Sequence, residues 1–153
     1  MDNYELAQIF RQIAMLLQIK GEDRFKTAAY ERAAETIQGT SGDLCKLDEK
    51  ELLALPGIGK AIAKKIQELC QTGSLEFLQK LEAEIPVSLV ELLAVPDVGP
   101  KKAALFWKEL DITSVDELEA AAKAGKIRNL PGMGEKTEAR ILAGIETYKA
   151  LNK

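Results

Sequence analysis

The sequence contains no histidine. Imidazole is the usual general base near neutral pH and the commonest metal ligand, so His-based zinc sites and Ser/His/Asp machinery are excluded. Cysteine is scarce as well. Cys45 and Cys70 allow at most one disulfide, and neither lies in a redox or nucleophilic motif, so both are read as inert thiols. The start, MDNYELAQIF, has no basic stretch leading into an apolar core of the secretory kind. Together these points predict a reducing, cytoplasmic setting. No apolar run, Ile13 to Leu17 included, approaches the ~20 residues of a membrane helix, and no membrane partner is expected. Positive charge is not in excess either: 21 Lys and Arg face 24 Asp and Glu, for a net charge of −3. That balance argues against a molecule whose whole surface binds a polyanion, so any anion site must rest on local charge. One segment has it. Residues 56–66 hold Lys60, Lys64 and Lys65 with no acid among them.

What is abundant is apolar side chain at helical spacing. Hydrophobic residues make up 46% of the 153-residue chain, ample for real cores. Leu6, Ile9, Phe10, Ile13, Leu16 and Leu17 predict a helix over 3–20, with Asp2 or Asn3 as its cap. A second amphipathic stretch, about 23–38, is expected to bury Phe25, Ala29, Ala33 and Ile37 before Gly39 and Ser41-Gly42 break it. Further helices are expected near 48–54, 60–71, 75–83, 87–94, 101–110, 115–124 and 135–149. No stretch alternates with period two, so the fold class is all-α.

The most informative feature is an internal repeat. Leu53-Ala54-Leu55-Pro56-Gly57-Ile58-Gly59, Leu93-Ala94-Val95-Pro96-Asp97-Val98-Gly99 and Arg128-Asn129-Leu130-Pro131-Gly132-Met133-Gly134 follow one template. Their prolines, at 56, 96 and 131, are 40 and 35 residues apart. Unequal spacing favours paired hairpins in a globular chain over a solenoid of equal turns. Proline fixes the entry, the glycines permit left-handed backbone, and Ile58, Val98 or Met133 can point inward to lock two helices together. The backbone N–H groups of such a turn precede a helix N-terminus, where unpaired donors and the helix dipole attract an anion such as phosphate. No cationic side chain is needed for that contact, which lessens the weight of the negative net charge.

Cations nonetheless follow each turn: Lys60 and Lys64 the first, Lys101 and Lys102 the second, Lys136 and Arg140 the third. With Gly57, Gly59, Gly99, Gly132 and Gly134 they form the expected phosphate-tracking set, and such contacts carry little sequence information. The second copy departs from the template. Asp97 tolerates a left-handed turn, but its carboxylate opposes a phosphate, so that hairpin is expected to be mainly structural.

The helix-hairpin-helix turns, preceded by Phe25-Lys26-Thr27-Ala28-Ala29-Tyr30-Glu31-Arg32-Ala33-Ala34-Glu35-Thr36-Ile37, resemble the polymerase beta-like family X DNA polymerases. The third hairpin is similar to the bacterial branch. The resemblance covers essentially the whole chain. It implies two small helical subdomains around three hairpins, a lyase-type domain at 1–85 and a DNA-binding subdomain at 86–153. It implies binding of gapped or nicked duplex in DNA repair, with the 5′-phosphate met by Lys26 and Tyr30, and a nucleoid-associated location in a bacterium. Lys65 matches the lysine that forms a Schiff base with 5′-deoxyribose phosphate. Leu53 and Ala61 replace pocket lysines of the family, neighbouring Lys60 offers a partial substitute, and Lys64 replaces an acid beside the nucleophile. The carbonyls of Leu53, Leu55 and Ile58 match those that hold Na⁺ or K⁺ between hairpin and phosphate; no other cofactor is implied. Nucleotidyl transfer in the family uses carboxylates of a palm domain that this sequence does not contain, so the remaining domains of a longer polymerase are expected partners.

Helix geometry alone adds a distinction among the lysines. At 100° per residue, Lys65 falls at the edge of the Ile62, Ile66 and Leu69 face, while Lys60 and Lys64 project nearly opposite. Lys65 is thus the lysine whose pKa partial burial and nearby cations can lower toward a nucleophile's range; the alternative is a snorkelling side chain with its ammonium in water. Phe106 and Trp107 are assigned to packing. Asp48-Glu49 and Asp116-Glu117 are assigned to helix starts, where carboxylates favour the dipole. A helical protein-interaction scaffold remains a reading of a different class, favoured by the acid excess and Asp97.

Overall fold

The computed structural model describes residues 1–152, and no strand occurs among them. The chain divides into two compact units between Glu84 and Ile85.

In the first unit, α1 (Asn3–Lys20) begins where the Asp2 side chain accepts the Glu5 N–H, and it ends at left-handed Gly21. After a short turn, α2 (Arg24–Gly39) starts at Asp23 and runs back along α1. Three side-chain links fix the antiparallel register: Gln18 to Glu31 at 2.6 Å, Arg11 to Gln38, and Asn3 to the Thr40 carbonyl at 3.2 Å. Leu6, Phe10, Ile13 and Leu17 of α1 are buried against Tyr30, Ala33, Ala34 and Ile37 of α2. The expected α2 face needs correction. Phe25 is 83% exposed and Ala29 is exposed, because the buried stripe is centred on Tyr30, which stacks between Phe10 and Phe77.

A 3₁₀ turn at Leu44–Lys46 leads to α3 (Glu49–Leu53), α4 (Lys60–Thr72) and α5 (Glu76–Glu84). Asp48 and Glu51 close a reciprocal capping box on α3, so the acids there do cap a helix. Cys45, on the 3₁₀ turn, and Cys70, near the end of α4, are joined in a disulfide. This corrects the reading of two inert thiols. Leu44 and Ile66 are both buried as the turn packs against α4, which leaves the cysteine Cα atoms 5.4 Å apart, within bridging range.

The second unit contains α6 (Leu89–Leu92), α7 (Pro100–Leu110), α8 (Val115–Lys123), a 3₁₀ turn at Ile127–Asn129 and α9 (Glu135–Leu151). Leu89, Leu92, Phe106, Leu118, Ile127, Ile141 and Ile145 form its core. Phe106 is fully buried and Trp107 half-buried. α6 is shorter than expected because its end tightens into i→i+3 bonds, Leu93 to Val90, Ala94 to Glu91 and Val95 to Leu92. Ser114 rather than an acid caps α8, with Glu117 three residues on; Asp116 instead pairs with Lys149 at 2.9 Å. Gly144 of α9 permits a close approach: a Cβ there would lie 2.6 Å from the Pro96 carbonyl oxygen. No described helix is long and apolar enough to cross a membrane.

Candidate nucleic-acid interface

Each template copy closes the same turn. Ile58 donates its N–H to Leu55 O at 3.2 Å, Val98 to Val95 O at 3.0 Å and Met133 to Leu130 O at 3.0 Å. Proline at the second position and positive φ at the third, +77° at Gly57, +72° at Asp97 and +76° at Gly132, make these type II turns. The second glycine of each copy differs from expectation. Gly59, Gly99 and Gly134 are extended N-caps without a capping side chain, in backbone that any residue adopts. A Cβ built on any of them meets nothing within 4 Å. Ile58 and Val98 are 4% and 5% exposed and serve as the inward locks; Met133 is only half-buried.

Beyond the turns, backbone donors are left free. Among the described residues, the N–H groups of Gly57, Gly59, Lys60 and Ala61 have no acceptor, nor do those of Gly132, Gly134, Glu135 and Lys136. The second hairpin offers fewer, because Pro100 at the first helical position has no N–H. α2 steadies the first turn: Thr36 Oγ1 donates to Pro56 O at 2.7 Å, and the Arg32 side chain lies over Gly57, its Cδ 2.6 Å from where a Cβ would stand.

The cations divide among different surroundings. Lys60, Lys64, Lys101 and Lys136 are exposed and make no ion pair among the described residues. Lys102 donates to Asp97 O at 2.9 Å. Arg140, expected to serve the third hairpin, lies 3.8 Å from the Asp97 carboxylate of the second. From α9 it thus also faces the hairpin against which Gly144 packs. Leu55 O already accepts the Ile58 N–H, although a carbonyl keeps a second lone pair for another partner.

A groove of about 580 Å³ between α4 and α5 is lined by Lys60, Lys64, Lys65 and Lys80, by the acids Glu68 and Glu76, the latter 3.4 Å from Lys80, and by Phe77 and Leu75 among its apolar residues. Lys65 is half-buried at its edge. Its ammonium sits 4.7 Å from the centre of the Phe77 ring and 5.9 Å from that of Tyr30. Burial lowers its pKa from the usual lysine value; Glu68 opposes the shift and the positive charge of Lys26 adds to it. Tyr30 is shifted upward by burial. The hydroxyl of Tyr30 has no protein partner, and no buried polar side-chain atom lacks one among the described residues, so that hydroxyl reaches solvent. Phe77, absent from the sequence-based set, thus completes an aromatic column around Lys65; its place on α5 gave no local signal of that role.

Comparison with known proteins agrees with this architecture. Residues 1–75 match the family described as a helix-hairpin-helix domain, and residues 89–147 match the SAM-like helix-hairpin-helix tandem. Over 145 residues the chain is 32% identical to the DNA polymerase/3′-5′ exonuclease PolX of Bacillus subtilis, covering 95% of this chain and 25% of that protein. Over 129 residues it is 31% identical to DNA polymerase lambda of Arabidopsis thaliana, covering 80% of this chain and 24% of that protein. The chain therefore spans about a quarter of the length of these relatives. Two helix-hairpin-helix matches and shared identity along most of the sequence lead to one conclusion: the chain is built of helix-hairpin-helix domains and is homologous to a region of family X DNA polymerases.

Proposed function

We propose that the chain binds DNA without sequence preference, at gapped or nicked duplex during repair, and contacts backbone phosphate chiefly through the first and third hairpins. One observation carries the reading. At Gly59 and Gly134 neither φ nor crowding within the protein calls for glycine, yet unpaired N–H groups surround both positions. Close approach of an external phosphate accounts for glycine there, because a side chain would stand between donor and anion. Lys26, Tyr30 and Lys60 receive the 5′-phosphate at the gap. Lys60, Lys64, Lys101 and Lys136 add charge, and the carbonyls of Leu53, Leu55 and Ile58 suit Na⁺ or K⁺ shared with a phosphate. In a longer polymerase the remaining domains, the palm included, would act on the DNA held here. With few contacts, the affinity of the chain alone is about 10⁻⁴–10⁻⁶ M near physiological salt and falls as salt rises. The test is a Lys60→Glu, Lys136→Glu double variant on gapped DNA with a 5′-phosphate and on intact duplex. Loss of binding, larger on the gapped substrate, is expected. Unchanged affinity would mean that the binding face lies elsewhere, and a parent chain without affinity even at low salt would leave a protein-interaction scaffold.

A second reading, 5′-deoxyribose-phosphate lyase chemistry through Lys65, is favoured by its lowered pKa and its seat against Tyr30 and Phe77. The unprotonated amine attacks the sugar aldehyde with loss of water, and β-elimination from the resulting imine releases the strand. Borohydride trapping on gapped DNA, with Lys65→Ala as control, decides it: an adduct lost in the variant supports the lyase, and none in a sample proven to bind the gap rules it out.

A further inference from the structure

The three hairpins share a template, and aligning them on their second glycine sets Glu138 of the third against Ala63 of the first and Ala103 of the second. Both alanines are fully buried, and Glu138 is 2% exposed. A carboxylate therefore occupies a position that the other two copies fill with a methyl group. The same alignment sets Arg128 against Leu53 and Leu93.

Burying a carboxylate is unfavourable unless its oxygens are partnered, and here Arg128 supplies three bonds. Glu138 accepts the Arg128 backbone N–H at 2.9 Å, its Nε at 3.0 Å and its terminal guanidinium nitrogen at 2.8 Å. Arg128 reaches Glu135 as well, at 3.3 Å. These bonds hold the Glu138 carboxyl below the usual carboxylate range, Arg128's side-chain bonds being the main cause. The contacts join residues ten apart across the turn at 130–133, tying the chain entering the hairpin to the first turn of the helix leaving it.

The third hairpin lacks what steadies the first. Ile58 is buried as an apolar lock, whereas Met133 is half-buried. A five-residue helix, α3, enters the first hairpin, but only a three-residue 3₁₀ turn enters the third. We infer that the Glu138–Arg128 pair is the positioning device of the third hairpin, holding the Gly132 and Gly134 amides in the arrangement that receives a DNA phosphate in place of the apolar lock used by the first. Glu138 is a positioning residue: its carboxylate is buried behind Arg128. The inference rests on the proposed DNA-binding reading, which it deepens.

The test uses the whole chain and three variants: Glu138→Gln, Arg128→Leu, and the double variant Arg128→Leu, Glu138→Ala made in a Met133→Ile background, which copies Leu53, Ile58 and Ala63 of the first hairpin. Amide NMR shifts of Gly132 and Gly134 report the turn without DNA, and circular dichroism reports folding. With the helix content of the parent retained, Glu138→Gln and Arg128→Leu are expected to move those two amides and to lower affinity for gapped DNA about tenfold, with a salt slope shallower by roughly one phosphate. The double variant is expected to restore both shifts and affinity, an outcome that simple loss of a stabilising bond does not give. Parent-like amide shifts in Glu138→Gln would overturn the inference, as would a double variant that folds without recovering affinity. If either single variant unfolds the second unit, the double variant decides alone, and its failure to refold or to bind overturns the inference. A parent chain that binds no DNA defeats the functional reading instead, while the amide shifts still judge the positioning.

Discussion

The first and third hairpins make the same type II turn from different materials. In the first, a buried Ile58, a fully buried Ala63 and the overlying Arg32 and Thr36 of α2 enclose the turn. In the third, Met133 is half-buried and a buried carboxylate spans the turn to Arg128. Apolar packing is non-directional and tolerates variation in what covers it. A charged pair in fixed geometry is directional, but it fails badly when one partner is lost. The units differ in the same spirit: the first carries a covalent crosslink, Cys45 to Cys70, and the second holds none.

The largest expected effect separates the units. Reduction of a disulfide between residues 25 apart in sequence should destabilise the first unit by about 3.5 kcal/mol on loop entropy. Trp107, the sole tryptophan, belongs to the second unit. Reductant should lower the unfolding midpoint seen by circular dichroism while leaving the Trp107 fluorescence transition in place; equal shifts in both signals would erase the contrast. Next, Ile58→Ala should cost about 3 kcal/mol as a buried large-to-small change, and Met133→Ala under about 1 kcal/mol for a half-exposed side chain. Equal losses in urea titration would mean that both turns rely on the same apolar lock. Gly144→Ala should cost about 2 kcal/mol, since its Cβ would press on the Pro96 carbonyl rather than on a movable side chain.

A gain of binding is expected at the second hairpin. Asp97→Gly removes a carboxylate from an otherwise complete turn, relieves a positive φ and frees Arg140. DNA affinity should rise about fivefold, from the ~1 kcal/mol that a unit charge contributes at 4 Å in water. An unaltered affinity in a binding titration would place the second hairpin away from DNA.

The smallest effect is a pH dependence at Lys65. Its folded pKa lies below the ordinary lysine value of 10.5, so in the window between the two the unfolded chain binds more protons. Stability must then rise with pH there. Lys20 and Lys149, shifted upward by their carboxylate partners, act in the opposite sense. The Lys65 contribution is therefore read as the difference between the parent and Lys65→Met in denaturant titrations at rising pH. No difference would indicate an ammonium as well hydrated in the folded chain as in the unfolded one.

Much of this was legible in the residues. The helix expected over 3–20 is α1 at Asn3–Lys20, and the one near 60–71 is α4 at Lys60–Thr72, because caps and apolar periodicity are local. Lys65 was placed at the core edge from helix angles, and burial lowers its pKa there. The failures are non-local. Phe25 sits at helical spacing with Ala29 and Ala33 yet is exposed, since the ring stack of Tyr30 with Phe10 and Phe77 rotates the buried face. The cysteine pairing, likewise, needed the 3₁₀ turn to lie on α4.

The sequence by itself determined the helices, the three turns and the free amides at their exits, because proline, glycine and apolar period act within a few residues. Only the tertiary structure decided which partner each charge meets: Glu138 with Arg128, Arg140 with Asp97, and Lys65 with the rings of Phe77 and Tyr30. Those pairings depend on burial and on how separate helices and turns come together, which the pattern of residues within one helix or turn does not encode.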